Sequence, residues 1–308
     1  VSQNGEPAFA GADWGTSRFR LWLMDRAGQV LAERRSDDGL DASRATGFSQ
    51  VLEGHLAAVG APADLPVVVC GMAGSRQGWV EAAYVDIPAD PATILAASAR
   101  IIDTKRDIRI VPGLAQQGAH PNVMRGEETQ LLGLVHGKPG FSGLVAMPGT
   151  HSKWVHLENG EVSGFSTYLT GELYALLCSH SILRHSIGNA AEGVDADHPG
   201  FGAGLALALA PGFSLLGTLF EIRAGMLLNG LAEDEAAARL SGMVIGTEAA
   251  DACAKAGADI KTVHLVASGR MERLYRKALS AAGFDCETVD ADDAVRKGLH
   301  AAAAGLWF

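Results

Sequence analysis

The sequence predicts an α/β protein of two domains, and three observations carry that prediction. Strand and helix signals alternate through roughly the first ninety residues, the pattern of a layered α/β domain. The run Pro66-Val67-Val68-Val69-Cys70-Gly71 is continuously apolar and β-branched, as a strand covered on both faces must be. Two stretches, residues 11–35 and 143–169, open with the same strand, Gly-Thr turn, strand pattern, so that Gly15-Thr16 falls on Gly149-Thr150. A repeat at this scale argues for two domains built on one plan.

The elements follow in order. Residues 8–14, 19–25 and 29–35 read as strands joined by short turns, the second turn being Arg26-Ala27-Gly28. Residues 46–59 carry the helical period, with Phe48, Val51, Leu52, His55, Leu56 and Val59 on one side. The buried strand 66–71 comes next, then a helix over 91–99 and a strand at 108–111. The break at Pro112-Gly113 marks the expected boundary between a domain of residues 1–112 and one of residues 113–308. The second opens with a helix over 127–136 and then strands about the Gly149-Thr150 and Asn159-Gly160 turns. Helices are expected at 170–178, 199–210, 215–231 and 233–256. A strand from Thr262 runs through Ser268-Gly269-Arg270 into a helix, a strand follows at 284–289, and a final helix over 292–304 is expected to pack back on the N-terminal domain.

Composition excludes several classes. The chain has 308 residues, 48% hydrophobic and 19% charged, which is the balance of a globular protein. Asp and Glu outnumber Lys and Arg by 35 to 25, and no basic run appears, so nucleic acid is not an expected partner. Cys70, Cys178, Cys253 and Cys286 lie far apart in apolar segments, without zinc spacing, and read as reduced core thiols of a cytoplasmic protein. The opening VSQNGEPAFAG has no signal-peptide pattern. Residues 199–220 lack charge, but Pro199, Pro211 and five glycines break them, so two buried helices meeting at Pro211-Gly212 are expected rather than a membrane span.

Five places could carry chemistry. Asp13-Trp14-Gly15-Thr16-Ser17 offers amides and hydroxyls for phosphate oxygens and a carboxylate that could position Mg²⁺ through water; a plain polar hairpin is the alternative. Gly149-Thr150-His151-Ser152-Lys153 repeats the chemistry without the acid, again with a plain turn and a solvated Lys153 as the alternative. Ser268-Gly269-Arg270 opens a helix whose free N–H groups suit an anion or a nucleotide edge, or Ser268 simply caps that helix. Glu127 and Glu128 start a helix, where a carboxylate can accept a proton or merely complement the dipole. In Cys70–Trp79, the Ser75-Arg76-Gln77 cluster beside Trp79 suits a small anionic ligand. Neither a Walker A sequence nor GxSxG occurs.

Together these residues resemble the sugar-kinase branch of the actin-like ATPase superfamily, and within it the 2-dehydro-3-deoxygalactonokinase family. The resemblance rests on ADWGTSRFRLWL, GMAGSRQGWVEAAYVDIPA, IVPGL, NVMRGEETQLLG, MPGTHSKWV, YLTGELYALL and LVASGRMERLY, spread over residues 12–275. It implies two actin-like (ribonuclease H-like) domains, each a mixed five-stranded sheet with flanking helices, and ATP in the cleft between them. It also implies phosphorylation of the 6-hydroxyl of 2-dehydro-3-deoxy-D-galactonate in galactonate catabolism, with ATP and Mg²⁺. Asp13, Gly15, Thr16 and Ser17 match the first phosphate motif, Gly149 and Thr150 the second with Lys153 beside them, and Ser268 and Gly269 the adenosine side. Glu127 falls where related kinases place a catalytic Asp, with Glu128 as the alternative base. Arg76, with Arg18, Ser75 and Trp79, is expected on the sugar acid, and Asp13 on Mg²⁺ through water. A kinase for another sugar acid such as 2-dehydro-3-deoxygluconate, and an actin-like switch that phosphorylates nothing, stay open, as does a homodimer.

Overall fold

A computed structural model describes residues 5–102, 104–257 and 259–308. The chain forms two compact units. The first holds the described residues up to Ser142 together with Leu157–Phe165 and Ala291–Phe308; the second holds Gly143–His156 and the described residues of Ser166–Asp290. The expected break at Pro112-Gly113 therefore lies inside the first unit, because the helix after it, Glu127–Gly137, packs against the last helix of the same unit.

The elements up to Ser142 are β1 (Phe9–Trp14), β2 (Phe19–Met24), β3 (Val30–Ser36), α1 (Leu40–Thr46), α2 (Phe48–Ala58), β4 (Val67–Gly71), β5 (Val85–Asp86), α3 (Pro91–Ala96), β6 (Ala99–Ile101), β7 (Ile108–Ile110), β8 (Leu114–Gln116), β9 (Asn122–Met124) and α4 (Glu127–Gly137). There follow β10 (Gly143–Met147), β11 (Ser152–Glu158), β12 (Glu161–Tyr168), α5 (Thr170–His180), α6 (Arg184–Ile187), α7 (Pro199–Ala208), α8 (Leu215–Asn229), α9 (Glu233–Ala256), β13 (Thr262–Val266), α10 (Gly269–Ala281), β14 (Asp285–Val289) and α11 (Ala291–Trp307).

The two main sheets share one plan. Their strand orders are β3-β2-β1-β4-β7-β6 and β12-β11-β10-β13-β14. In each, the first three strands lie in reverse chain order, and the next two continue parallel to the innermost one. This is the actin-like, ribonuclease H-like order, present twice. The first sheet has six strands rather than five, because β6 adds to its edge antiparallel to β7. The expected helix over 91–99 stops at Ala96, and its last position becomes the start of β6, where pairing with β7 wins. A small third sheet, β5-β8-β9, has no clear sequence signal because its strands are only two or three residues long.

All five residues of β4 are buried, which explains its unbroken apolar run. The α2 face seen in the sequence fills the first core: Val51, Leu52 and Leu56 pack with Trp14, Phe19 and Ile110. In the second unit α7 lies on α9, and a side chain at Gly204 or Gly242 would run into the backbone of the facing helix. The same device joins α11 to α4, where Gly298 faces the Thr129 carbonyl and Gly133 the Ala294 carbonyl.

Two expectations about burial need correction. Helix α7 is substantially buried, but on α8 only Ile222 is; this helix is apolar on nearly every side, and one side suffices to dock it. Of the four free cysteines, Cys286 is only half-buried, since β14 is a sheet edge. Among the described residues no helix is long and apolar enough to cross a membrane.

Candidate active site

Strands β1 and β4 run parallel with Asp13 opposite Cys70, so both end at one edge of the first sheet. That edge, at the carboxyl ends of parallel strands, is where open α/β sheets present their ligand sites. Asp13 forms an ion pair with Arg20, its partner on β2, and Arg20 also reaches Asp292 in the first turn of α11. Arg35 on β3 holds the other oxygen of Asp292 at 2.8 Å. Burial would raise the Asp292 carboxyl, but the Arg35 hydrogen bond and the Arg20 and Arg35 charges outweigh it and hold it below the usual range. A cavity of about 570 Å³ opens here, lined among others by Asp13, Gly15, Arg18, Arg20 and Asp292. Arg20, Arg35 and Asp292 were missed in the sequence because no local motif links residue 292 to residue 13.

The Gly15–Arg18 turn is closed by the Gly15 amide donating to the Arg18 carbonyl at 2.8 Å. It is braced from behind: the Leu40 amide donates to the Gly15 carbonyl at 3.0 Å, and Trp14 Nε1 to the Asp38 carbonyl at 3.0 Å. Thr16, Ser17 and Arg18 stay exposed on this fixed turn.

Gly71 ends β4 at φ +86°, a conformation that favours glycine, and a Cβ there would stand 3.3 Å from Asp13 Oδ1. A Cβ on Gly126 would stand 3.6 Å from the Gly71 Cα. Asp13 and the start of α4 thus both approach one glycine. The two acids of α4 differ sharply. Glu128 is fully buried, and its carboxylate accepts from the Gly126 amide at 2.7 Å. Burial, reinforced by the neighbouring Glu127 charge, pushes its pKa up to about 8, so it is mostly protonated at neutral pH. Glu127 is only half-buried, with Oε2 accepting from the Arg125 amide at 3.1 Å.

The loop after β4 carries the expected sugar-acid residues. Arg76 is exposed and lies 3.5 Å from Glu81, while the Ser75 hydroxyl is buried with no partner. Trp79 stacks parallel to Phe48 and edge-on to Trp14, so much of its ring belongs to the core. Arg125 holds this loop from beneath: its Nη2 donates to the Ala82 carbonyl at 2.8 Å, and its guanidinium lies 4.4 Å over the Tyr84 ring. Gly74 packs against Arg125 Nη1. Arg125 stands within a motif noted in the sequence, but nothing local marks it as the loop's support.

In the second unit the Gly149-Thr150 turn and the start of α10 meet at one cavity of about 550 Å³, whose lining includes Thr150, Gly171, Tyr174, Val244, Arg270 and Met271. Helix α5 seats the turn, with the Glu172 amide donating to the Thr150 carbonyl at 3.0 Å. Ser152 exchanges a hydrogen bond with Tyr275 at 3.0 Å, and the Tyr275 hydroxyl donates to Glu248 at 2.6 Å. Trp154 Nε1 donates to the same carboxylate at 2.7 Å; burial raises the Glu248 carboxyl despite these donors. Lys153, foreseen either on phosphate or in solvent, is buried, and its Nζ donates to the His151 carbonyl at 3.0 Å, holding the turn from inside. Ser268 sits at the N-cap position, yet its hydroxyl donates to Asp290 at 2.7 Å instead of capping α10. The first amides of α10, beside Gly269, are left without that side-chain cap.

The residues present fit Mg²⁺ held through water. Asp13, Asp37 and Asp292 are carboxylates lining the first cavity, and among the described residues no cluster of three or more His, Cys, Asp or Glu could hold a metal directly. Mg²⁺ keeps much of its water and binds through one or two carboxylates plus substrate phosphates.

Two sheets of one order, each with a Gly-Thr turn between its first two strands, place the chain in the actin-like fold class. The family model for 2-keto-3-deoxy-galactonokinase matches residues 13–302. The chain belongs to that family. It is 50% identical over 300 residues to a protein of Rhizobium meliloti (strain 1021) named probable 2-dehydro-3-deoxygalactonokinase, covering 97% of each chain. It is 33% identical over 292 residues to the 2-dehydro-3-deoxygalactonokinase of Escherichia coli (strain K12), covering 94% of this chain and 96% of the other. A crystal structure from Sinorhizobium meliloti, of a protein given the same name provisionally, superposes with a TM-score of 0.92 at 50% identity, covering 97% of this chain and 99% of that one.

Proposed function

We propose that the chain transfers the γ-phosphoryl group of ATP to the 6-hydroxyl of 2-dehydro-3-deoxy-D-galactonate, with Glu127 as the base. The observation that carries the assignment of roles is the contrast within the first turn of α4. Glu128 is sealed in and largely protonated at neutral pH, whereas Glu127 is half-exposed and follows Gly126, which approaches the same Gly71 that Asp13 does. As the bond from O6 to the γ-phosphorus forms, the bond to the β-bridging oxygen breaks, ADP leaves, and Glu127 takes the hydroxyl proton. Phosphoryl transfer asks little of a base beyond orientation and late proton removal.

The other residues bind and orient. The amides and hydroxyls of Gly15-Thr16-Ser17 and of Gly149-Thr150 would hold phosphate oxygens. The α10 start at Ser268-Gly269 and the apolar cavity beside it suit the nucleoside. Arg76 and Arg18 would pair with the 2-oxo acid carboxylate, with Ser75 and Trp79 shaping that end. Asp13, steered by Arg20, would position Mg²⁺ through water, and bound Mg²⁺ would supply neutralising charge to the phosphates. Four free thiols, three of them buried, support a reducing compartment such as the cytoplasm.

The test is a coupled ADP-release assay with a panel of sugar acids. Turnover that depends on 2-dehydro-3-deoxy-D-galactonate above its C4 epimer is expected. ADP release indifferent to every sugar acid would replace this reading with an ATPase switch.

A further inference from the structure

Helix α8 presents an apolar surface that no other element among the described residues covers. Only Ile222 of its fifteen residues is buried, while Leu216, Phe220, Leu227 and Leu228 are 86%, 61%, 60% and 81% exposed. Leu216, Phe220, Ala224, Leu227 and Leu228 recur at three- and four-residue spacing, so they form one stripe on the side away from Ile222. Aromatic side chains carry on the order of 150–250 Å² and leucine lies near the low end of that range, so at these exposures the four together offer roughly 500 Å². That reaches the largest apolar patch an ordinary monomer exposes, about 300–600 Å² and usually functional.

The patch matches a second copy of itself in size. Two such stripes laid together would remove about 1,000 Å² from water, the threshold of a specific interface, before any rim residue is counted. The stripe is also shaped for self-packing, since Ala224 leaves a hollow between Phe220 and Leu228 into which a partner's ring or leucine can enter. A lipid surface fits poorly. Interfacial helices carry many cations on their polar face, whereas α8 has one, Arg223, in a chain of net charge −10.

We propose that the chain forms a twofold-symmetric homodimer in which α8 of one copy packs against α8 of the other. A symmetric pair needs only this one patch, used twice. The proposal is independent of the kinase assignment, because α8 supplies none of the residues placed at the active site.

Sedimentation velocity of the full chain from 1 to 100 µM tests it, beside the variants Leu216→Glu and Leu228→Glu. Both side chains are mostly in solvent, so the variants should keep the wild-type melting temperature and turnover. The wild type should sediment at twice the 32.0 kDa chain mass. Each Leu→Glu change should weaken self-association at least tenfold, and the pair should give a monomer. A wild type that stays monomeric at 100 µM, or variants whose dimer is undiminished, would overturn the proposal. So would a monomer that co-sediments with phosphatidylserine vesicles through the α8 leucines.

Discussion

Glu127 and Glu128 are adjacent in sequence and chemically alike, yet the fold gives them opposite properties. Replacing Glu127 by Gln keeps its shape and removes its basicity. A positioned general base typically contributes 10²–10⁴-fold, so kcat should fall by about that factor with KM for the sugar acid little changed. A Glu127→Gln enzyme of near-normal kcat would take the base role from this residue. Glu128 makes a different prediction. Its carboxyl titrates near the ordinary value of 4.5 when unfolded and at about 8 when folded. The folded state therefore holds a proton that the unfolded state releases between those values. The stability tied to this proton is fully present below about pH 4.5 and is lost as pH rises to about 8, a change on the order of a few kcal/mol. Glu128→Gln should thus melt like the wild type near pH 4.5 and increasingly above it toward pH 8, as read by thermal unfolding across pH.

At the scale of elements, position depends on close contacts between segments. Helix α11 lies so near α4 that a Cβ on Gly298 would strike the Thr129 carbonyl, within one turn of Glu127. Gly298→Ala should force the helices apart, lowering stability by about 1–3 kcal/mol, and should lower kcat because α4 carries the proposed base, Glu127. Unchanged melting and turnover would show that α4 is free to shift without consequence. The loop after β4 depends on Arg125 in the same way. Lysine keeps the charge but loses the fork that reaches Ala82 and the flat face over Tyr84. Arg125→Lys should raise KM for the sugar acid about tenfold, the equivalent of roughly 1.4 kcal/mol, while KM for ATP holds. Equal effects on both would mean that the loop has no particular tie to the sugar acid.

At the scale of the molecule, the first unit is made from three separate stretches of chain, the last of them Ala291–Phe308. That stretch buries Val295, Leu299, Ala302 and Ala303 and brings Asp292 to Arg20. Every motif noted in the sequence lies upstream of it. A chain ending at Asp290 should nevertheless lose cooperative unfolding of the first unit and its kinase activity, as followed by circular dichroism and the coupled assay. Retention of both would make α11 dispensable.

What the residues determined by themselves was local or repeated. Period and turn chemistry were enough for β1 to β4, for α9 from Glu233 to Ala256, and for the two matched Gly-Thr turns, because each of these is specified by neighbours in the chain. The family, too, was legible from blocks such as MRGEETQLLG. The tertiary structure alone decided which of two adjacent glutamates stays neutral, that Lys153 turns inward, and that Asp292 joins Arg20 and Asp13. It also decided that α8 is left uncovered, though its composition had suggested burial. Each of these outcomes depends on burial or on a partner far away in the chain. Burial and distant pairing are properties of packing, and a linear pattern carries no record of them.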